Sequence, residues 1–192
     1  MFIEIPNFLD KNEIEYLRTN LRNFDKEKGE LSDYQNREGL TIQITKSTDP
    51  QLKMIDTVLF EIFNKICNDV VIPNYSPSYK IADSGYEYHC YGPNQICKLH
   101  ADGEFIKTMG VHEKSFLRFA SVTLHLTTNT NGGDVIFPKQ EKRFKTEAGK
   151  LLVWPPYGNY THYTEPSTEE REIIVSWLLY DGISVETTDR YT

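Results

Sequence analysis

Five short segments rich in Tyr, Val, Ile and Leu dominate the chain after residue 85 and constrain its fold more than any other feature. The segments are Tyr86–Tyr91, Arg118–Leu126, Val135–Phe137, Lys150–Trp154 and Glu172–Leu179. β-Branched and aromatic residues favour strands, and turn-forming residues such as the Asn-Gly-Gly at 131–133 separate the runs. Several short strands divided by turns predict a β-sandwich or a small barrel.

Two helices are predicted before these strands. Asp10 with Glu13 has the pattern of a capping box, and Asp49 before Pro50 is typical of a second helix start. Apolar residues then recur at helical spacing, at Ile14, Leu17 and Leu21 and at Leu52, Ile55, Leu59, Ile62 and Ile66. The charged stretch Asn23–Asn36 between them is expected to be a surface loop.

The order of these elements predicts an α+β fold that is mainly β. We expect one domain over residues 1–192, with helical support over about 1–70 and a β core over about 75–182.

Composition excludes some classes of function. The chain carries a net charge of −7 and no run of Lys or Arg, which disfavours a nucleic-acid binder. The first residues lack the pattern of a signal peptide and no apolar run could span a membrane, so a cytoplasmic location is expected. An odd number of cysteines (Cys67, Cys90 and Cys97) indicates free thiols. The last two could also be metal ligands, although no CxxC pair supports this.

Three residues offer metal-binding chemistry. His100 and Asp102 lie two residues apart, so in a strand they point to the same face. Alone, this pair is also compatible with an exposed His beside a solvated Asp. With His162 it could form the facial triad of non-haem Fe(II) oxygenases, which leaves positions open for a cosubstrate and O₂. A nearby Arg171 could pair with a carboxylate through two hydrogen bonds.

These residues, in this order, resemble the 2-oxoglutarate oxygenases, and among them the prolyl 4-hydroxylase branch. The resemblance covers about half of the chain. It rests on five ordered blocks, which are Tyr91–Asp102, Arg118–Leu126, Gly132–Pro138, Gly149–Trp154 and His162–Trp177. It implies a double-stranded β-helix, a jelly-roll fold shared with cupins, with the metal between the sheets and the two helices outside the larger sheet.

The resemblance also implies roles for individual residues. His100, Asp102 and His162 would ligate Fe(II), and Arg171 would bind the C5 carboxylate of 2-oxoglutarate, with O₂ as second cosubstrate and ascorbate as a candidate additional cofactor. Tyr91 matches a tyrosine that hydrogen-bonds the cosubstrate, with a packed strand aromatic as the alternative.

Two further positions match residues that face the peptide substrate. These are Arg118, for which a surface salt bridge is the alternative, and Trp177, for which a core indole is the alternative.

The chain departs from the family pattern at several positions. His125 stands where a tyrosine helps to hold the C5 carboxylate, and an imidazole there would change its charge with pH. Its alternative is a structural histidine bonded to a neighbour. Cys97 replaces a second tyrosine and Asn94 a glycine. His89 and His112 match nothing and are expected on the surface or in a loop, His112 in one that could cover the site.

We therefore expect a hydroxylase of peptidyl proline, with hydroxylation favoured over halogenation because Asp102 is present. One alternative is a hydroxylase of a free amino acid or small metabolite, and another is a non-catalytic, cupin-like metal-binding protein. A nucleic-acid demethylase is disfavoured by the acidic charge balance. A peptide or protein is the expected partner, a membrane is not, and the oligomeric state is left open.

Overall fold

The computed structural model describes residues 1–22, 24, 30–31, 38–77, 80–103 and 118–180. The helices are α1 (Lys11–Arg22), α2 (Pro50–Lys65) and α3 (Ile72–Tyr75), with a π-helical segment (Ile66–Val71) between the last two and a 3₁₀ turn at Pro138–Gln140. The strands are β1 (Ile3–Ile5), β2 (Glu30–Leu31), β3 (Leu40–Gln43), β4 (Ile81–Asp83), β5 (Glu87–Tyr91), β6 (Arg118–His125), β7 (Val135–Phe137), β8 (Lys142–Phe144), β9 (Leu151–Trp154), β10 (Tyr163–Thr164) and β11 (Arg171–Tyr180).

Both long helices begin where side chains can satisfy their free backbone N–H groups. At α1, the Asp10 side chain accepts from Glu13 N at 2.9 Å, and the Glu13 side chain accepts from Asp10 N at 2.8 Å. At α2, Asp49 accepts from the N–H groups of Gln51 and Leu52. The structure confirms both predicted helix starts.

The strands form two antiparallel sheets. The larger sheet has the order β1-β9-β6-β11-β5-β3-β2, with β4 also paired to β11, and the smaller sheet has the order β10-β7-β8. Residues of the two sheets share one apolar cluster of Val135, Phe137, Phe144, Leu152 and Trp154. The predicted α+β architecture, mainly β, is confirmed.

The two faces of the larger sheet contact different layers. Alternate residues of its strands pack with the helices in the main core, which includes Leu17, Leu21, Leu52, Leu59, Val122, Leu124, Val153 and Ile174. The residues between them, such as Ser121, Thr123 and Ile173, point to the opposite face and line a pocket. The helices therefore support the sheet from outside, as expected, and leave its other face for the site.

The N-terminal segment is not only helical, which corrects the sequence-based description. β1 pairs with β9 and β3 pairs with β5, so both strands extend the larger sheet. The stretch predicted as a surface loop, Asn23–Asn36, contains β2, and its other residues apart from Phe24 lie outside the described ranges. The strands β1, β2 and β3 are only two to four residues long, and they form through pairing with other strands.

None of the described helices combines the length and the apolar character that a membrane span requires.

A buried carboxylate joins the first helix to the central strand. Glu172, on the helix side of β11, accepts from Arg18 NH2 at 3.0 Å, from Arg22 Nε at 2.7 Å and from the Tyr88 hydroxyl at 3.2 Å. Its side chain is fully buried, whereas the two arginines are partly exposed. Burial alone would raise the pKa of Glu172, but the arginines outweigh burial and lower it.

We expect Glu172→Gln to lower the free energy of unfolding by about 2 kcal/mol, because two guanidinium groups would lose their shared anion. The loss is smaller than for a fully buried ion pair, because both arginines are partly exposed to solvent. The lowered pKa means that this stabilisation is present above pH 4.5 and is lost as the pH falls below that ordinary value. Urea unfolding at neutral and acidic pH measures both effects. Glu165→Gln, which breaks an exposed pair with Arg143, is the control and should change stability by less than about 1 kcal/mol. Equal losses of stability in the two variants would contradict the stabilising role of the buried Glu172 carboxylate.

Candidate metal centre

Backbone pairing brings two distant histidines face to face. His100 N donates to His162 O at 3.0 Å, and His162 N donates to His100 O at 2.8 Å. Next to this pair, Thr164 N donates to Cys97 O at 3.0 Å. The segment after β5 is therefore hydrogen-bonded to the segment leading into β10, which places both imidazoles on one side of the pocket.

The three predicted ligands converge. Asp102 Oδ1 lies 3.6 Å from His100 Nε2, and Asp102 Oδ2 lies 3.9 Å from His162 Nε2. One ligand atom from each residue lies within 4.8 Å of the other two. Asp102 and His162 are buried, and His100 is nearly so. Two imidazoles and one carboxylate in this arrangement match the facial triad of non-haem Fe(II) sites.

Neighbouring groups orient each of these ligands. His100 Nδ1 donates to Lys98 O at 2.8 Å, and His162 Nδ1 lies 3.2 Å from Tyr160 O. Because a carbonyl only accepts, each ring carries a proton on Nδ1, and Nε2 is the nitrogen that faces Asp102. Ser121 Oγ donates to Asp102 Oδ2 at 2.6 Å. The donor set and its tautomers fit a divalent metal ion.

The charge state of the cluster also fits a cation. Burial alone would raise the pKa of Asp102, but His162, His100 and Arg118 outweigh it and hold the pKa well below its ordinary value. Burial likewise would lower the pKa of His100, but hydrogen bonds to Asp102 and Cys97 outweigh it and raise the pKa to about 10. A buried carboxylate thus stays ionised beside a protonated imidazole, and a metal ion would replace that proton.

The metal cluster forms part of a pocket between the two sheets. The pocket is lined by His89, Tyr91, Cys97, His100, Asp102, Ser121, Thr123, Val135, Trp154, His162, Thr164, Arg171, Ile173, Val175 and Trp177. Arg171, the first residue of β11, is only 3% exposed. Its guanidinium lies 4.2 Å from the centre of the Tyr91 ring, and NH2 lies 3.5 Å from Thr164 Oγ1. A buried guanidinium in the metal pocket provides a binding position for an anion.

His125 lies on the same face of β6 as the pocket residues Ser121 and Thr123. It is fully buried, and neither ring nitrogen has a hydrogen-bond partner among the described residues. Burial, with smaller contributions from Arg171 and Lys150, lowers its pKa to about 3. The imidazole is therefore neutral at neutral pH, and the hydrogen-bonded structural histidine given as its alternative finds no partner among the described residues.

Arg118 and Trp177 lie together at the pocket wall. The Arg118 guanidinium stacks 3.9 Å from the centre of the Trp177 ring, and NH1 donates to the backbone oxygen of Asp102 at 2.6 Å. Arg118 therefore holds the ligand segment through a backbone contact. Trp177 is 7% exposed and lines the pocket.

The structure corrects the expectation for His89, which is 2% exposed and lines the pocket instead of lying on the surface. Its Nε2 lies 2.9 Å from the Glu87 carboxylate. The signal was present in the sequence, because His89 lies two residues before Tyr91 in a predicted strand and shares its face. His112, also expected on the surface or in a loop, lies outside the described residues.

The other departures from the family pattern have physical explanations. Asn94 has a left-handed backbone with φ of 64°, a conformation that Asn tolerates almost alone among residues other than Gly. Cys97 is buried in the pocket with its Sγ 3.7 Å from His100 Nδ1, whereas Cys90 belongs to the core on the helix side. Among the described residues, neither of these cysteines nor Cys67 forms a disulfide, as predicted.

The architecture is that of a jelly roll with two helices on its larger sheet, and solved structures share it. No protein-family model and no curated protein sequence matches the chain. The chain is similar in structure to a viral collagen prolyl hydroxylase from Paramecium bursaria Chlorella virus-1, solved in complex with 2-oxoglutarate. The TM-score is 0.70 and the sequence identity 17%, over 92% of this chain and 94% of that chain.

Two further prolyl hydroxylases have the same fold. The prolyl-4-hydroxylase of Pseudomonas putida has a TM-score of 0.68 and 16% identity over 94% of this chain and 93% of its own. The enzyme of Trichoplax adhaerens, in complex with a peptide fragment of the hypoxia inducible factor oxygen degradation domain, has a TM-score of 0.64 and 16% identity over 93% of this chain and 83% of its own. The predicted double-stranded β-helix is therefore confirmed.

We expect Mn(II), an unreactive substitute for Fe(II), to bind more tightly as the pH rises from about 6 to about 8, because the metal displaces the proton of His100. Calorimetric titration in two buffers with different ionisation enthalpies counts the released protons. His162→Ala should abolish binding, whereas the control Glu141→Gln, an exposed residue outside the pocket, should bind as wild type does. Binding without proton release would contradict the protonation state described above.

Proposed function

We propose that this chain is an Fe(II)- and 2-oxoglutarate-dependent dioxygenase that hydroxylates a peptidyl side chain, most plausibly proline. The observation that carries the proposal is one buried pocket that holds a facial triad together with Arg171. Metal ligands alone would also suit a binding protein. A buried guanidinium in the same pocket adds the group that a dicarboxylate cosubstrate requires.

In this proposal His100, Asp102 and His162 hold the iron through two Nε2 atoms and one carboxylate oxygen. When bound, the iron supplies activation of O₂ for oxidation of a C–H bond, coupled to conversion of 2-oxoglutarate to succinate and CO₂. Ser121 keeps the Asp102 carboxylate oriented through its 2.6 Å hydrogen bond. Because the site has a carboxylate where a halide would need an open position, it favours hydroxylation over halogenation.

Arg171 binds the C5 carboxylate of the cosubstrate, and three neighbours complete its surroundings. Tyr91 stacks against the guanidinium and Thr164 Oγ1 lies beside it, which restricts its position. His125, neutral and without a described partner, has an N–H that can donate to a carboxylate without adding charge. Pocket walls of Ile173, Val175 and Trp154 exclude water from the bound ligand.

A peptidyl substrate is supported by the structural neighbours, which are named as prolyl hydroxylases and of which one was solved with a peptide fragment. The Arg118–Trp177 stack offers a planar surface at the pocket wall for such a substrate. A free amino acid or small metabolite is the second candidate substrate on the same core.

We expect Mn(II) to raise the melting temperature of the wild-type protein and 2-oxoglutarate to raise it again. A ligand at a hundred times its dissociation constant adds about 2.7 kcal/mol to the free energy of unfolding. Arg171→Ala should keep the metal shift and lose the second one. Arg143→Ala, which removes an exposed arginine outside the pocket, should keep both. If wild type shows the metal shift alone, the dioxygenase assignment fails and a cupin-like metal-binding protein is favoured.

Release of succinate from 2-oxoglutarate, with Fe(II), ascorbate and O₂ present, distinguishes the substrates. We expect a proline-containing peptide to stimulate succinate release at least tenfold and to gain 16 mass units, whereas free proline should not stimulate it. Asp102→Ala should abolish both signals because it removes an iron ligand. Stimulation by free proline instead of any peptide would replace the peptidyl substrate by the second candidate.

A further inference from the structure

One face of β5 continues the polar lining of the pocket beyond the residues assigned so far. Glu87, His89 and Tyr91 alternate along the strand and therefore share that face. The Glu87 carboxylate lies 2.9 Å from His89 Nε2, and the His89 and Tyr91 rings meet edge to face with centroids 6.3 Å apart. Tyr91 in turn stacks with Arg171. The contacts run without a break from Glu87 to the arginine.

The strand register places His89 beside that arginine. Tyr91 is the direct partner of Arg171 across the β5–β11 pair, and His89 is the partner of Ile173. His89 and Arg171 are thus diagonal neighbours, which on one face of a sheet lie within reach of long and aromatic side chains. On the other side of β11, His125 is also the partner of Ile173. Arg171 therefore has an imidazole diagonal to it on each side.

The two imidazoles have different electrostatic surroundings. His125 is fully buried and is kept neutral by burial and by Arg171. His89 instead has an acidic partner, and because a carboxylate only accepts, Nε2 carries the proton between them. This hydrogen bond sets the orientation of the His89 ring.

We propose that His89, oriented by Glu87, is a second residue that binds the distal carboxylate of the 2-oxo acid, together with Arg171. The inference rests on the proposed function, since it concerns the same cosubstrate. It makes Glu87 a positioning residue, which acts through His89, and it assigns a use to the buried histidine of the pocket wall. The ligand class is a 2-oxo dicarboxylic acid, bound to metal at one end and to Arg171 and His89 at the other.

The test compares two ligands on the Mn(II)-loaded full chain, 2-oxoglutarate and 2-oxopentanoate, which has a methyl group in place of the distal carboxylate. His89→Phe keeps a ring of similar size and removes its hydrogen bonds. We expect it to weaken 2-oxoglutarate binding about tenfold, as for one charged hydrogen bond, and to change 2-oxopentanoate binding less than twofold. Glu87→Gln should weaken the binding of 2-oxoglutarate about threefold, again compared with the binding of 2-oxopentanoate. Calorimetry measures each dissociation constant.

Cys90→Ala is the matched control, because Cys90 lies on the same strand with its side chain in the core on the helix side. It should leave the binding of both ligands unchanged. If His89→Phe does not fold, judged by its melting temperature, His89→Gln replaces it with the same expected selectivity. An equal loss for both ligands, or no loss for either, overturns the role of His89. Failure of the proposed function looks different, since wild type would then bind Mn(II) but not 2-oxoglutarate.

Discussion

The central position of β11 is the constraint on which the rest of the structure depends. The strand pairs with β4, β5 and β6, so its backbone is hydrogen-bonded along both edges. Successive side chains point to opposite faces. Glu172 therefore reaches the arginines of α1, and Arg171, one residue earlier, reaches the pocket. The register of β11 therefore determines both how the first helix packs and where Arg171 lies in the pocket.

Charge in the pocket is arranged by partners rather than by exposure. Asp102 stays ionised although buried, because His100, His162 and Arg118 surround it. His125 stays neutral, because burial and Arg171 both oppose its protonation. Two histidines of this region therefore differ in charge state, because hydrogen bonds to Asp102 and Cys97 raise the pKa of His100 whereas burial and Arg171 lower that of His125. A cation at the triad and an anion at Arg171 would each find an oppositely charged group already in place.

Much of the fold could be predicted because its signals are local. The capping pairs at Asp10 and Asp49 and the apolar strands β5, β6, β7, β9 and β11 depend on neighbours within a few residues. The short strands β1 and β3 could not be predicted, because they exist only through pairing with β9 and β5. In the site, His89 was expected on the surface or in a loop, although its place two residues before Tyr91 in a predicted strand indicates that the two share a face. The neutral state of His125 could not be predicted, because burial and Arg171 determine it.

The sequence by itself determined which chemistry is available. The chain carries His100, Asp102, His162 and Arg171 in this order, and their donor types limit which ligands they can bind. Only the tertiary structure decided that they meet. Backbone hydrogen bonds between His100 and His162, sixty-two residues apart, place their rings together, and the register of β5 with β11 sets His89 beside Arg171. Contacts between distant segments depend on the packing of whole sheets, which no local pattern encodes.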